Sequence, residues 1–298
     1  MALDPYDTGR FALLNRPGVP EQGPRTAHAS RGRDARFEGA IFGNSHIQLV
    51  SPERLRDATG IAFVSLTVPA TGPREQFWLL DYFLAHRSGS PKALVFGIDG
   101  DWCTAEPVLP VRQPFPFWLY DPDPAAFLRG LLRWSTLEAV GQRAFVLAGL
   151  NRRPPARPDG YWDYEQNRVW RQAMVEQELA APVASSEVNA TGRFPQIERL
   201  GRTLAALPTE TAVAIVMPPA YRTALPAPGS PHARSDAACR AALTEAAGMR
   251  ATVIDWRTDR PESADSTLFF DHTHYRHPLA RAIERDIVGA IRAQSPGR

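Results

Sequence analysis

GAIFGNSHIQLVSPERLRDATGIAFVSLTV, residues 39–68, reads as a complete strand–helix–strand unit. GAIFG (39–43) is a short apolar strand, and IAFVSLTV (61–68) is a second one rich in β-branched residues. The intervening SPERLRDATG carries helix punctuation, with Ser51 suited to the N-cap and Pro52 to the first turn. The same grammar extends outward. PREQFWLLDYFLAHR (73–87) reads as an amphipathic helix and KALVFGID (92–99) as a third, buried strand. Further on, helices near 163–180, 195–207, 231–247 and 278–293 surround the strands TAVAIVMPP (211–219) and ATVIDW (251–256). Strands separated by helices of this length imply right-handed crossovers and parallel pairing. The expected fold is therefore α/β, a three-layer α/β/α sandwich with a mainly parallel five-stranded sheet, flavodoxin-like in architecture. Residues 1–37 are rich in Arg, Gly and Pro without hydrophobic period and read as an extended N-terminal arm. Residues 38–298 read as a single domain, with an elaboration at about 100–190 that is rich in Pro and aromatics and holds helical pieces near 124–140.

Composition narrows the classes of function. In 298 residues, 44% hydrophobic and 22% charged is the balance of a globular protein with a full core. A formal charge of +2 leaves no electrostatic footprint for nucleic acid, and the basic residues are almost all arginine, with Lys92 the lone lysine. No apolar run is long enough to span a membrane, and the opening MALDPYDTGRF lacks the apolar core of a signal peptide. The two cysteines, Cys103 and Cys239, fit either two buried thiols or one disulfide.

Two segments fall where an open parallel sheet gathers ligands, outside the carboxyl ends of its strands. Gly43-Asn44-Ser45-His46 exits the first strand and precedes a helix. A serine there has its hydroxyl at the sheet edge and its N–H near a helix N-terminus, which suits a nucleophile that must stabilise an oxyanion. Phe270-Asp271-His272-Thr273-His274-Tyr275 lies after the last strand and before the last helix. An aspartate three residues before a histidine fits one tight loop, so that the imidazole takes the serine proton and the carboxylate holds its tautomer.

This pair of blocks resembles the SGNH/GDSL hydrolase superfamily, in particular its polysccharide-modifying O-acetyltransferase and esterase branches. FGNSH (42–46) is similar to the family's G-D/N-S block, with Asn44 for the commoner aspartate, and DHTH (271–274) to its C-terminal D-x-x-H block. The resemblance implies a three-layer fold over roughly residues 38–295, Ser45 as nucleophile, His274 as general base and Asp271 as its orienting carboxylate. It also implies an oxyanion hole built from a glycine after the second strand and an asparagine after the third. Here Gly72 is a displaced candidate for the first, with Ala70 nearby, and Asp99 occupies the asparagine's place. Asn44 and the Ser45 N–H are the substitute donors. An extracytoplasmic location follows from the resemblance if an anchor precedes residue 1.

Other residues carry competing readings. His46 lines the pocket or is a half-exposed structural histidine. Trp102 and the aromatic segment 158–164 (PDGYWDY) suit stacking on sugar rings, or form a satellite core under a long loop. His272, His274 and His277 beside Asp271, together with Asp99 and Asp101, offer a metal-dependent alternative. The sequence thus favours a cofactor-free serine esterase or O-acyltransferase acting on a small-molecule or carbohydrate ester, acetyl in the leading case. A catalytically silent carbohydrate-binding scaffold and a metal hydrolase are its rivals.

Overall fold

The computed structural model describes residues 4–10, 19, 23–150, 157–166, 168–183 and 188–294. Helix α1 (Pro24–Arg33) leads into β1 (Gly39–Phe42), α2 (Pro52–Thr59), β2 (Phe63–Ser65), α3 (Pro73–Ala85) and β3 (Ala93–Gly97). A 3-10 turn, Gly100–Cys103, opens the elaboration, which contains α4 (Phe117–Tyr120), α5 (Pro124–Leu131), α6 (Trp134–Leu147) and α7 (Gln172–Ala180). The alternation closes with α8 (Pro195–Ala206), β4 (Ala212–Met217), α9 (Pro231–Ala247), β5 (Thr252–Asp255) and α10 (His277–Ala293).

All five strands pair in parallel in the order β2-β1-β3-β4-β5. Period-2 geometry sends alternate side chains to opposite faces, and both faces are covered. Phe42, Leu94, Phe96, Val213 and Ile215 face one hydrophobic cluster together with α3, α8 and α9. Ile41, Val95, Ala214 and Val216 face the other, with Leu55 of α2 and the apolar stripe of α10. That stripe is Leu279, Ile283, Ile287 and Ile291, a four-residue spacing that keeps one helix face inward. Each such side chain contributes up to about 1.5–3 kcal/mol when fully buried. The fold expectation is met: the chain forms a three-layer α/β/α sandwich.

The strand order turns at β1. The chain moves outward from β1 to β2, then crosses back so that β3 pairs with β1's other edge. Adjacent β1 and β3 exits at such a switch point leave a crevice at their carboxyl ends.

The structure corrects three local expectations. Residues 24–33 are a helix and not an extended arm, and Tyr6, Asp7 and Thr8 are buried as well. Helix α1 has no apolar stripe to betray it because it packs through small residues: Ala27, Ala29 and Gly32 are buried, and Tyr82 lies so close to Gly32 that a Cβ there would sit 3.1 Å from its ring. The helix expected near 163–180 begins only at Gln172; before it, 164–166 bend and turn and 168–171 carry no regular secondary structure, since Tyr164 and Trp170 bond across the loop that precedes α10. Strand β2 is shorter than 61–68, although Leu66 and Val68 still donate backbone hydrogen bonds to Ile41 and Gly43 of the β1 side. Its outer edge is covered where Ser65 N–H donates to Asp159 O. Cys103 and Cys239 form a disulfide that ties the 3-10 turn after β3 to α9, with Cα atoms 5.5 Å apart.

Candidate active site

Gly43, at the exit of β1, adopts φ +154°, and a Cβ there would stand 2.5 Å from Ile47 Cγ2. Gly97, at the exit of β3, faces the same side chain, with a virtual Cβ 2.8 Å from Ile47. Two glycines therefore let Ile47 wedge between adjacent strand exits, and that wedge sets the turn bearing Ser45. The turn is held by Ile47 N–H to Asn44 O (3.2 Å) and Gln48 N–H to Ser45 O (3.4 Å). It separates Ser45 from α2, so the serine does not sit directly on that helix's N-terminus as the sequence suggested. Helix α2 is pinned in turn to α10: buried Glu284 accepts from Ser51 N–H (2.8 Å) and from Arg54 Nε (2.6 Å) and Nη2 (2.8 Å).

The second half of the site is a tight hairpin before α10. Phe269 and Tyr275, both fully buried, bridge antiparallel, Phe270 N–H donates to His274 O (2.8 Å), and Arg276 N–H to Leu268 O (2.8 Å). Tyr221 N–H, beyond β4, donates to His272 O (2.8 Å) and anchors the hairpin's tip. Anchoring both stems leaves Asp271 and His274 a fixed geometry.

These two halves meet. His274 Nε2 lies 2.9 Å from Ser45 Oγ, and its Nδ1 lies 2.8 and 2.9 Å from the two oxygens of Asp271. Asp271 Oδ1 also accepts the N–H groups of Thr273 (2.9 Å) and His274 (2.8 Å). Burial opposes the charge on Asp271, but the bonds from His274 and the two backbone N–H groups win, and the carboxyl is held well below its ordinary range. An ionised Asp271 on Nδ1 places the imidazole proton on that nitrogen and leaves Nε2 as a lone-pair acceptor for the serine hydroxyl. All three side chains remain partly open to solvent.

Around this line the structure adds two more residues. Tyr164 stands edge-on to the His274 ring (centroids 5.7 Å apart) and donates its hydroxyl to Tyr275 O (2.7 Å). Arg168 Nη1 lies 3.8 Å from Asp271 Oδ2. Tyr164 belongs to the aromatic run already singled out; Arg168 carries no local signal, because only its tertiary position brings it to Asp271.

The remaining sequence candidates separate. Asn44 Nδ2 donates to Thr71 O (3.2 Å) and to Asp99 Oδ2, and its Oδ1 accepts His46 N–H (3.1 Å). Asn44 therefore braces the loop, with both amide protons spent. Gly72 caps α3 and donates its N–H to Glu75 Oε2 (3.2 Å), so that donor too is engaged. Trp102, expected as a substrate contact, is 1% exposed and packed against Phe77 in the core, with ring centroids 5.4 Å apart. It has no face to offer a ligand; the aromatic signal marks packing beneath the 3-10 turn. His46 Nδ1 lies 3.4 Å from Asp99 Oδ2, and its ring stands edge-on to His274 at 5.3 Å. Burial works against the Asp99 carboxylate, but His46, the Asn44 amide and the Asp101 N–H outweigh it and hold the group below its usual range. Asp101 goes the other way: burial and the charge of Asp99 push it up to about 6 despite Arg112 at 2.6 Å.

The histidines do not converge as metal ligands. His274 is committed to Ser45 and Asp271, while His277 turns to Asp163 and Glu165, at 3.0 and 3.4 Å. Among the described residues no group of three or more His, Cys, Asp or Glu side chains is placed to hold a metal ion, and no helix is long and apolar enough to cross a membrane. Set against known proteins, the chain matches no protein-family model and no curated protein sequence.

Proposed function

We propose that the protein is a serine-dependent acyl-ester hydrolase or O-acyltransferase working through an acyl-serine intermediate. The observation that carries this reading is the unbroken line Ser45 Oγ–His274 Nε2–Nδ1–Asp271, with contacts of 2.8–2.9 Å contributed by two loops far apart in sequence. Ser45 Oγ attacks the acyl carbonyl carbon while its proton passes to His274 Nε2, and the carbonyl electron pair becomes an oxyanion. Collapse re-forms the C=O bond and breaks the ester C–O bond, and the leaving alkoxide takes the proton from His274. Water or a second hydroxyl then attacks the acyl-serine, again passing its proton to His274. The second collapse returns that proton to Ser45 and releases an acid or a new ester.

The sequence resemblance to SGNH/GDSL hydrolases supports the same reading. Asn44 and Asp99 stand in each other's expected places, amide for carboxylate, and still hydrogen-bond. A carbohydrate as the body of the substrate draws support from Trp162. It is 45% exposed on the segment that runs from the β2 edge at Asp159 to Tyr164 beside His274, and an indole face there suits the C–H surface of a sugar ring. Acetyl is the acyl group that the resemblance implies. The disulfide supports an oxidising, extracytoplasmic compartment.

Intact-mass analysis after treatment with a fluorophosphonate probe tests the proposal without knowing the substrate. A single adduct on wild type, absent from Ser45→Ala and His274→Ala, is expected. No adduct on folded wild type, with sugar binding retained, favours the silent-scaffold reading, which the engaged Asn44 amide and Gly72 N–H motivate. Acetate release unaffected by any sugar acceptor argues for hydrolysis over transfer.

A further inference from the structure

Attack by Ser45 creates a full negative charge on the former carbonyl oxygen, and donors already in place must meet it. The Ser45 N–H is one, since among the described residues it has no acceptor. The side chains at the exits of β1 and β3 supply few others. Asn44 has spent both amide protons on Thr71 and Asp99, and its Oδ1 occupies the His46 N–H. Asp99 and Asp101 in ionised form only accept. An unrelieved carboxylate at position 99 would repel the developing oxyanion.

His46 resolves both difficulties. Its Nδ1 faces Asp99, its ring abuts His274, and its side chain is 26% exposed. Among the described residues no partner bonds its Nε2, so the hydrogen-bonding capacity of that nitrogen is unspent. We infer that His46, protonated and oriented by Asp99, is the side-chain donor of the oxyanion hole, so that two Asp–His pairs with opposite tasks serve one nucleophile. Asp271 keeps Nε2 of His274 a base towards Ser45. Asp99 neutralises a protonated His46, whose Nε2–H points its charge at the oxyanion. His46 is then a catalytic residue and Asp99 a positioning residue. The groups facing the His46 ring are Asp99 and Asp101 from the β3 exit, with Arg112 behind Asp101, and His274 from the hairpin before α10.

This inference rests on the ester reading above, and the two are tested together in separable ways. The rate of fluorophosphonate labelling and the kcat and KM for 4-nitrophenyl acetate are measured for wild type, His46→Ala, His46→Gln, Asp99→Asn and the His46→Gln/Asp99→Asn double variant. His46→Ala should lose about 10²–10³-fold in kcat with KM little changed, the cost of one oxyanion donor. His46→Gln, which keeps an N–H donor, should recover to within about tenfold of wild type. Asp99→Asn should lower kcat when His46 is present and cost little further in His46→Gln, because Asp99 acts through the imidazole. A wild type that labels, with His46→Ala labelling and turning over just as fast, overturns this inference and leaves the ester reading standing. A wild type that neither labels nor hydrolyses overturns both.

Discussion

Asp271→Asn isolates one bond of the catalytic line. Both Asp271 oxygens lie 2.8–2.9 Å from His274 Nδ1, but only Oδ1 also takes the Thr273 and His274 N–H groups. An asparagine can keep its Oδ1 on the two backbone donors, which leaves its NH₂ facing Nδ1. The imidazole must then accept at Nδ1 and carry its proton on Nε2, 2.9 Å from Ser45 Oγ, where it donates to the serine and takes nothing from it. The hairpin keeps its backbone bonds, so melting temperature should barely move. In serine triads this exchange lowers kcat about 10⁴-fold, equivalent to about 5.4 kcal/mol of transition-state stabilisation at about 1.36 kcal/mol per decade. The assay is fluorophosphonate labelling rate together with acetate-ester hydrolysis, run beside a thermal melt. A folded Asp271→Asn that labels within tenfold of wild type would refute the tautomer argument.

Three further outcomes follow from the fold. Gly43→Ala should lower both stability, by about 1–3 kcal/mol, and the Ser45 labelling rate, because its Cβ meets Ile47 at 2.5 Å in a φ +154° backbone. Gly60→Ala, at φ +74° with no neighbour within 4 Å, should cost about 1 kcal/mol and leave labelling intact; equal labelling in the two variants would count against the Ile47 wedge. Reducing Cys103–Cys239, whose partners are 136 residues apart, should lower unfolding stability by about 2–5 kcal/mol in urea titrations. An unchanged midpoint with both thiols shown to be free would contradict the disulfide's role.

Much of the fold was legible because short-range patterns carry it. Phe42, Val95 and Ile215 belong to apolar runs whose only economical solution is a strand buried on both faces, and Ser51-Pro52 marks the start of α2 by its own capping chemistry. Helix α1 was not legible, since Ala27, Ala29 and Gly32 are small residues that make no apolar stripe, and Gly32 packs against Tyr82, a residue of α3. Trp102 misled for the related reason that an aromatic after a strand looks the same whether it faces a sugar or the core.

At the site, sequence alone determined which groups are present: a serine at the first strand's exit, an aspartate and a histidine three apart near the C-terminus, a carboxylate at position 99. Those identities set the available chemistry because a side chain's donors, acceptors and charge are intrinsic to it. Tertiary structure decided how each group is spent. Asn44 was a donor on paper and is a brace in the fold, Gly72 gives its N–H to Glu75, and His46 gains an aspartate partner from another strand. A hydrogen bond satisfies a donor only once its partner has a place, and at the β1–β3 switch point the partners come from segments 27 to 229 residues apart.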